Sequence, residues 1–145
     1  MTNYEHINAY KKTQQSSNTV TSSYEIVRTL MKELVNSMQK IVLDIQDERN
    51  RKKDKLHVDK ALEEKNARHK SKNLSKSLSI IYGLQTSLDF DKALEIANNL
   101  FQLYEYCRQA IIRGFSEKIE DGILKAIDVI KQILEGWEII PSLEK

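Results

Sequence analysis

Cysteine, proline and glycine are scarce in this chain, whose 145 residues include one Cys, one Pro and four Gly. A single cysteine excludes an internal disulfide, so a reducing compartment is its natural setting. So few turn-forming residues argue against a β-sandwich or barrel, whereas 40% apolar residues are too many for a disordered chain. These absences leave a helical globular domain as the expected class.

Long apolar runs are also missing. The sequence has no uninterrupted apolar segment of the roughly 18 residues that a membrane helix requires. Residues 1–15 are polar and lack the apolar centre of a signal peptide. The sequence therefore predicts a cytoplasmic protein without membrane insertion.

No pattern in the sequence specifies a reaction. His6, His57 and His69 form no pair at the spacing that clamps a metal on one helix face, and no glycine-rich phosphate loop occurs. Cys107 lies on an apolar stripe, where a thiol is usually buried and inert. Glu63-Glu64 are adjacent, so a helix would point the two carboxylates in different directions. We expect no catalytic residue, no metal and no cofactor, and hence no enzyme.

The net charge of +2 hides an uneven distribution. Residues 47–76 hold 11 basic and 6 acidic side chains, whereas residues 77–145 hold 7 and 11. Such a basic block either forms a solvated helical surface or attracts an acidic partner. Binding of nucleic acid through this block is an alternative, but the block lacks the aromatic side chains on which bases stack, so no nucleic-acid partner is expected.

Apolar residues recur at intervals of three and four along four segments, which predicts four amphipathic helices. We expect them at about 23–54, 58–88, 90–113 and 117–140. Ser22 and Asp89 are suited to cap the first and third helices. Gly114 is suited to end the third helix, Ser116-Glu117 to open the fourth, and Pro141 to stop it.

The four stripes and their short connections predict an all-α fold, an antiparallel up-down four-helix bundle over residues 21–141. Residues 1–20 are polar and are expected to form a short, mobile N-terminal cap segment, and residues 142–145 a tail. The wide apolar stripe is interrupted over residues 46–68, although helix propensity there is high. We therefore expect an extended helix 1–helix 2 hairpin that projects beyond the bundle and turns near Asp54–Val58.

Three stretches, in this order, carry a resemblance to a known family. The first is Asn8-Ala9-Tyr10, followed after a gap by Val20-Thr21-Ser22-Ser23 at a helix start. The second and most telling stretch comprises Leu74-Ser75-Lys76, Ile80-Ile81, Leu84, Ser87-Leu88-Asp89, Glu95-Ile96-Ala97, Asn99-Leu100, Leu103-Tyr104 and Tyr106. The third is an aliphatic helix ending in Trp137, shortly before the only proline. The ordered set resembles FliS, the family of cytosolic chaperones of flagellin export, over nearly all of the chain except the hairpin extension.

Some positions depart from the family pattern. Tyr24 stands where the family favours proline, and Lys32 where an aromatic residue is usual. Ala93-Leu94 replaces a usual glycine pair, and Cys107 a usual methionine. The link between the first two helices is also longer than in typical members. These features indicate a divergent member and leave the identity of the client more open than the fold.

The resemblance implies a bundle that binds the disordered C-terminal segment of flagellin, prevents premature polymerisation and delivers flagellin to the flagellar export apparatus. It also implies that the N-terminal segment can lie over the client groove and move aside. On this basis the expected partner-binding residues are Ile7, Asn8, Ala9 and Tyr10 in the cap, and Leu88, Ile96, Asn99, Leu100, Leu103, Tyr104 and Tyr106 in the groove.

Two further interpretations share the same fold. The first is an adaptor or chaperone for a different export substrate or for a regulator, which the departures from the family pattern favour. The second is a structural helical oligomer, which a stable dimer without an accessible groove would favour.

Overall fold

The structure, a computed structural model, describes residues 19–53 and 60–143. These residues form four helices and no strand: α1 (Thr19–Lys53), α2 (Lys60–Thr86), α3 (Leu94–Glu117) and α4 (Asp121–Leu143). α1 and α3 each pack along both α2 and α4, so the helices follow one another around the bundle in chain order. The predicted all-α four-helix fold is confirmed.

The core consists of inward apolar stripes from all four helices. Burying one large apolar side chain stabilises the fold by about 1.5–3 kcal/mol, so a stripe of such residues suffices to hold each helix in place. The largest apolar side chains that are fully buried are Met31, Leu34, Met38, Ile41, Ile81, Leu84, Ile111, Ile123 and Ile130.

Trp137 joins the start of α1 to the end of α4. Its ring stacks on Tyr24 with centroids 5.5 Å apart and an interplanar angle of 6°. Its indole Nε1 donates a hydrogen bond to the Tyr24 carbonyl oxygen at 3.1 Å. Trp137 is thus an anchor of the bundle, partly buried against the core.

The predicted starts of the first and third helices are wrong. α1 is already helical at Thr19, so Ser22 lies inside its first turn and is not the cap. α3 begins at Leu94 and not at about residue 90, because the Asp89 side chain closes a separate turn just before it. In that turn Asp89 Oδ1 accepts hydrogen bonds from the backbone N–H groups of Asp91 and Lys92, at 3.0 and 3.1 Å.

The α3–α4 connection also differs from the prediction. α3 runs to Glu117, so Ser116 and Glu117 end α3 and do not open α4. The left-handed residue after α3 is Lys118, with φ 59° and ψ 42°, and not Gly114. α4 begins at Asp121 and continues through Leu143, two residues beyond Pro141.

Gly114 instead allows α3 to pack closely against the start of α4. A Cβ atom at this position would lie 2.6 Å from Ile123 Cδ1 and 2.8 Å from the Ile119 carbonyl oxygen. Such distances are far below van der Waals contact, so only glycine lets α3 approach α4 this closely here.

The register of the α1–α2 hairpin is fixed by polar contacts. The Lys70 ammonium lies 2.9 Å from Glu48 Oε2, and Asn73 Nδ2 donates to Asp44 Oδ2 at 3.3 Å. At the same level Arg49 pairs with Glu120 at the start of α4. Beyond this level, the side chains of residues 60–69 are almost all exposed. The two helices therefore extend past the bundle, while the expected turn and the N-terminal cap segment fall outside the described residues.

Candidate binding surface

α3 turns one face to the core. Ala97, Tyr104 and Ile111 follow one another at intervals of seven residues, and all three are buried. Tyr104 is only 3% exposed, and burial raises the pKa of its phenol to about 12. The expectation that Tyr104 lines a partner-binding groove is therefore wrong, because its side chain belongs to the core.

A second stripe of α3 is apolar but open to solvent. Ile96 is 63% exposed, Leu103 38% and Tyr106 45%, and Asn99 lies exposed between them. The steps of three, four and three residues place all four on one side of the helix. Of the predicted site residues, these four are brought together on an accessible face.

Helical periodicity places this stripe next to α4. A Cβ atom at Gly122 would lie 4.0 Å from Ala110 Cβ, so Ala110 marks the side of α3 that faces α4. Leu103 and Ile96 precede Ala110 by seven and fourteen residues, which is about two and four turns. They therefore lie on the same side of α3 as Ala110, along its border with α4.

Two residues of α4 complete this surface. Val129 follows Gly122 by seven residues, and Ile133 follows Ala126, whose carbonyl oxygen lies 3.7 Å from Cys107 Sγ on α3. Both are partly buried against the core on the side of α4 that faces α3. The exposed stripe and these two residues together form what we call the α3–α4 surface: Ile96, Asn99, Leu103, Tyr106, Val129 and Ile133. Sequence reasoning missed Val129 and Ile133, although their spacing from two small residues could have indicated them.

The remaining predicted site residues lie elsewhere. Leu88 and Leu100 are partly buried and pack on the core, so they offer little free surface. Ile7, Asn8, Ala9 and Tyr10, the predicted cap, lie outside the described residues.

The opposite side of α3, which faces α2, combines polar and aromatic side chains. Glu105 accepts hydrogen bonds from Arg108 Nε at 3.0 Å and from Gln85 Nε2 at 3.1 Å, and these bonds lower the pKa of its carboxyl to about 2. Phe90 and Phe101 meet edge to face here, with centroids 6.2 Å apart. The α2 side of α3 is thus of mixed character, whereas the stripe on the α4 side is predominantly apolar.

The single thiol of the chain, on Cys107, is buried in the core. Burial raises the pKa of the Cys107 thiol to about 12, so the thiolate that would act as a nucleophile does not form near neutral pH. Residues 19–53 and 60–143 contain no group of three metal-ligating side chains. None of the described helices combines the length and apolarity of a membrane span. The structure defines a helical bundle with an exposed apolar stripe on α3 beside α4, a feature typical of proteins that bind other proteins.

Comparison with known proteins agrees with this class. The family model described as "Flagellar protein FliS" matches residues 6–144, and the chain belongs to this family. It is 30% identical over 81 residues to the flagellar secretion chaperone FliS of Vibrio cholerae serotype O1, covering 56% of this chain and 60% of that relative. It is 33% identical over 72 residues to the flagellar secretion chaperone FliS of Salmonella typhimurium, covering 49% and 53%. The chain thus spans little more than half the length of these curated relatives, and no solved structure matches it significantly.

Proposed function

We propose that this protein is a cytoplasmic flagellar export chaperone that binds the disordered C-terminal segment of flagellin. Binding would keep flagellin from polymerising prematurely and deliver it to the flagellar export apparatus. The observation that carries the proposal is the family match over residues 6–144, supported by the names of both relatives. The role is one of binding alone, with no reaction.

The α3–α4 surface has the properties that this role needs. A client segment that orders on binding loses conformational entropy, which apolar burial must offset. From Ile96 to Tyr106 the surface runs about 15 Å along α3, enough for about three turns of a client helix. An amphipathic helix can lay its own apolar face on such a surface. We therefore place the client's helical part along the border of α3 and α4.

The first test is calorimetry with a peptide of the cognate flagellin's C-terminal segment. We expect binding with a negative heat-capacity change and a gain of helix in the circular dichroism spectrum, since apolar area is buried as the peptide folds. Leu103→Asp should weaken binding about tenfold, because it places a charge in the contact. Leu43→Asp is the matched control. Leu43 is 56% exposed on α1, the helix diagonally across the bundle from α3, so this substitution should leave the affinity unchanged. Equal effects of the two variants would contradict our placement of the client, and no binding at all would contradict the proposed function.

The N-terminal segment is the second part of this proposal. We propose that Ile7, Ala9 and Tyr10 cover part of the client surface in the free protein, as the family resemblance implies. Such a cover would shield apolar area that otherwise promotes self-association.

Deleting residues 1–15 should therefore leave the bundle folded, because the core stripes begin beyond them. Affinity for the flagellin peptide should rise severalfold, and a dye that binds exposed apolar surface should fluoresce more strongly. Thermal unfolding followed by circular dichroism supplies the control for folding. Unfolding of the shortened protein would identify the segment as part of the core and rule out a removable cover.

A different export substrate or a regulator is the alternative client. It is favoured by Ala93-Leu94 at the start of α3, where the resemblance leads us to expect a glycine pair, because Leu94 is 60% exposed and adds apolar area that a glycine would not. Purification of the tagged protein from its native cytosol, followed by mass spectrometry, would identify the bound client directly. Recovery of a protein other than flagellin, bound in a manner that Leu103→Asp abolishes, would favour this alternative.

A further inference from the structure

The exposed face of α2 carries an unbroken row of cations that the proposed function does not use. Lys65, Arg68, Lys72 and Lys76 are spaced at i, i+3, i+7 and i+11, and all four are exposed. At 100° per residue they fall within a sector of about 80°, and at 1.5 Å per residue they span about 16 Å. We call these four residues the basic stripe.

These four cations have no partner within the described chain. None of them forms a hydrogen bond or ion pair with a described residue. In contrast, Lys70 on the same helix is bound to Glu48. Glu64 borders the stripe four residues before Arg68 but forms no ion pair with it in the structure.

Packing within the bundle does not account for the basic stripe, because its residues are exposed. Its upper half lies on the part of α2 that extends past the bundle, where residues 60–69 are almost all exposed. From Lys60 to Lys76 the helix holds six Lys and Arg residues against two Glu, a net charge of +4. Four like charges on one face of a helix repel one another, and a row of opposite charges on a partner relieves that repulsion.

We propose that the basic stripe is a second docking surface, which binds an acidic helix of a partner protein. A helix lying alongside α2 has the same rise per residue, so carboxylates at its own i, i+3, i+7 and i+11 positions meet the four cations one by one. This is the pairing that charged residues flanking the seam of a coiled coil provide. It lies on α2, away from the α3–α4 surface, so both partners can be bound at once.

The chemistry of the stripe favours this occupant over other anions. Between Lys65 and Lys76 there is no Phe, Tyr or Trp on which nucleic-acid bases stack. The one large apolar side chain in this range, Leu74, packs against the core, and Leu62 alone is exposed just before it, which is too little to anchor a helix in a bilayer. A regular row of cations with so few exposed apolar neighbours is best complemented by a regular row of carboxylates.

The test uses the full-length protein and two synthetic helical peptides of identical composition. One has four glutamates at the i, i+3, i+7 and i+11 spacing, and the other has the same glutamates spread around the helix. In ¹H–¹⁵N correlation spectra at low salt we expect the first peptide to shift amides within residues 65–76, and to bind roughly tenfold more tightly than the second. Raising the salt to about 150 mM should weaken this binding, since exposed ion pairs are screened.

The matched variants change the net charge equally. Replacing Lys65, Arg68, Lys72 and Lys76 with glutamine should remove the shifts and weaken binding about tenfold or more. Replacing four exposed lysines elsewhere with glutamine should leave binding within about twofold, which excludes an effect of net charge alone. These control positions are Lys40, Lys92, Lys125 and Lys131.

Three results would overturn the proposal. Equal binding of the two peptides, or an equal loss of affinity in both quadruple variants, would show only diffuse attraction. In the third result, the glutamate peptide binds neither the wild type nor the stripe variant. The wild type instead binds a polyuridine RNA or a phosphatidylserine vesicle, and the stripe variant loses that binding. The flagellin peptide is absent from every arm, so failure here leaves the proposed function untouched.

Discussion

Replacing Gly114 with alanine is expected to destabilise the bundle by about 2 kcal/mol. The added Cβ would lie 2.6 and 2.7 Å from Ile123 Cδ1 and Cγ1, and 2.8 Å from the Ile119 carbonyl oxygen. Overpacking of this kind costs about 1–3 kcal/mol, and the backbone oxygen cannot move aside as a side chain can. For a protein of this size the melting temperature should fall by roughly 5–10 °C, measured by thermal unfolding.

Gly83→Ala is the matched control. No atom lies within 4 Å of a Cβ atom added at Gly83, which also sits inside a helix. This variant should gain up to about 1 kcal/mol, since alanine is the better helix former. If Gly114→Ala gained stability as well, α4 would be free to move away from α3, and the close approach would not be essential.

Glu48→Gln is expected to cost about 2 kcal/mol at neutral pH. Glu48 Oε1 lies 2.7 Å from Lys118 Nζ, and Oε2 lies 2.9 Å from Lys70 Nζ, so one carboxylate ties α1 to α2 and to the α3–α4 turn. Hydrogen bonds from Lys118, which has the larger effect, and from Lys70 lower the pKa of Glu48 from its ordinary value of 4.5 to about 2. The full shift in pKa would correspond to about 3 kcal/mol of unfolding free energy. We expect a smaller loss because the Glu48 side chain is 24% exposed and its ion pairs are partly screened by solvent.

The pH dependence follows from the direction of this shift. A carboxyl whose folded pKa is lowered stabilises the protein above its unfolded pKa, and the contribution is lost as the pH falls through the folded value. The stability difference between wild type and Glu48→Gln should therefore be complete above about pH 5 and shrink towards pH 2. Urea unfolding at several pH values measures it, with Glu33→Gln at an exposed position as control. A difference that does not change with pH would show that the loss comes from packing and not from charge.

The fold class could be predicted because periodicity is a local property of the sequence. Spacings of three and four specified the core stripes, and four such stripes leave few arrangements other than a bundle. The helix ends could not be predicted as well, because they depend on single hydrogen bonds. Asp89 caps a turn in place of the helix, and Lys118 takes the left-handed position although a glycine stands nearby.

The candidate site was predicted only in part. Ile96, Leu103 and Tyr106 lie together on an exposed face, whereas the seven-residue spacing of Ala97, Tyr104 and Ile111 already indicated that Tyr104 belongs to the core. The contacts of Glu48 depend on the relative register of three helices, which no local pattern in the sequence specifies.

Two of the positions at which the resemblance leads us to expect other residues make contacts with α4. Tyr24, in place of an expected proline, stacks on Trp137. Lys32, in place of an expected aromatic residue, lies 3.9 Å from a Glu138 carboxylate oxygen. Both side chains are thus held at the border of α1 and α4.

The stacked pair of Tyr24 and Trp137 makes the protein its own spectroscopic reporter. Trp137 is the only tryptophan in the chain, so its emission arises from a single known environment. Because the indole N–H is bonded to the Tyr24 carbonyl, separation of the first turns of α1 from α4 would expose the ring to water and shift its emission to longer wavelength. The signal is confined to the end of the bundle opposite the projecting hairpin. Fraying of one end can therefore be followed without a label, independently of events at the other.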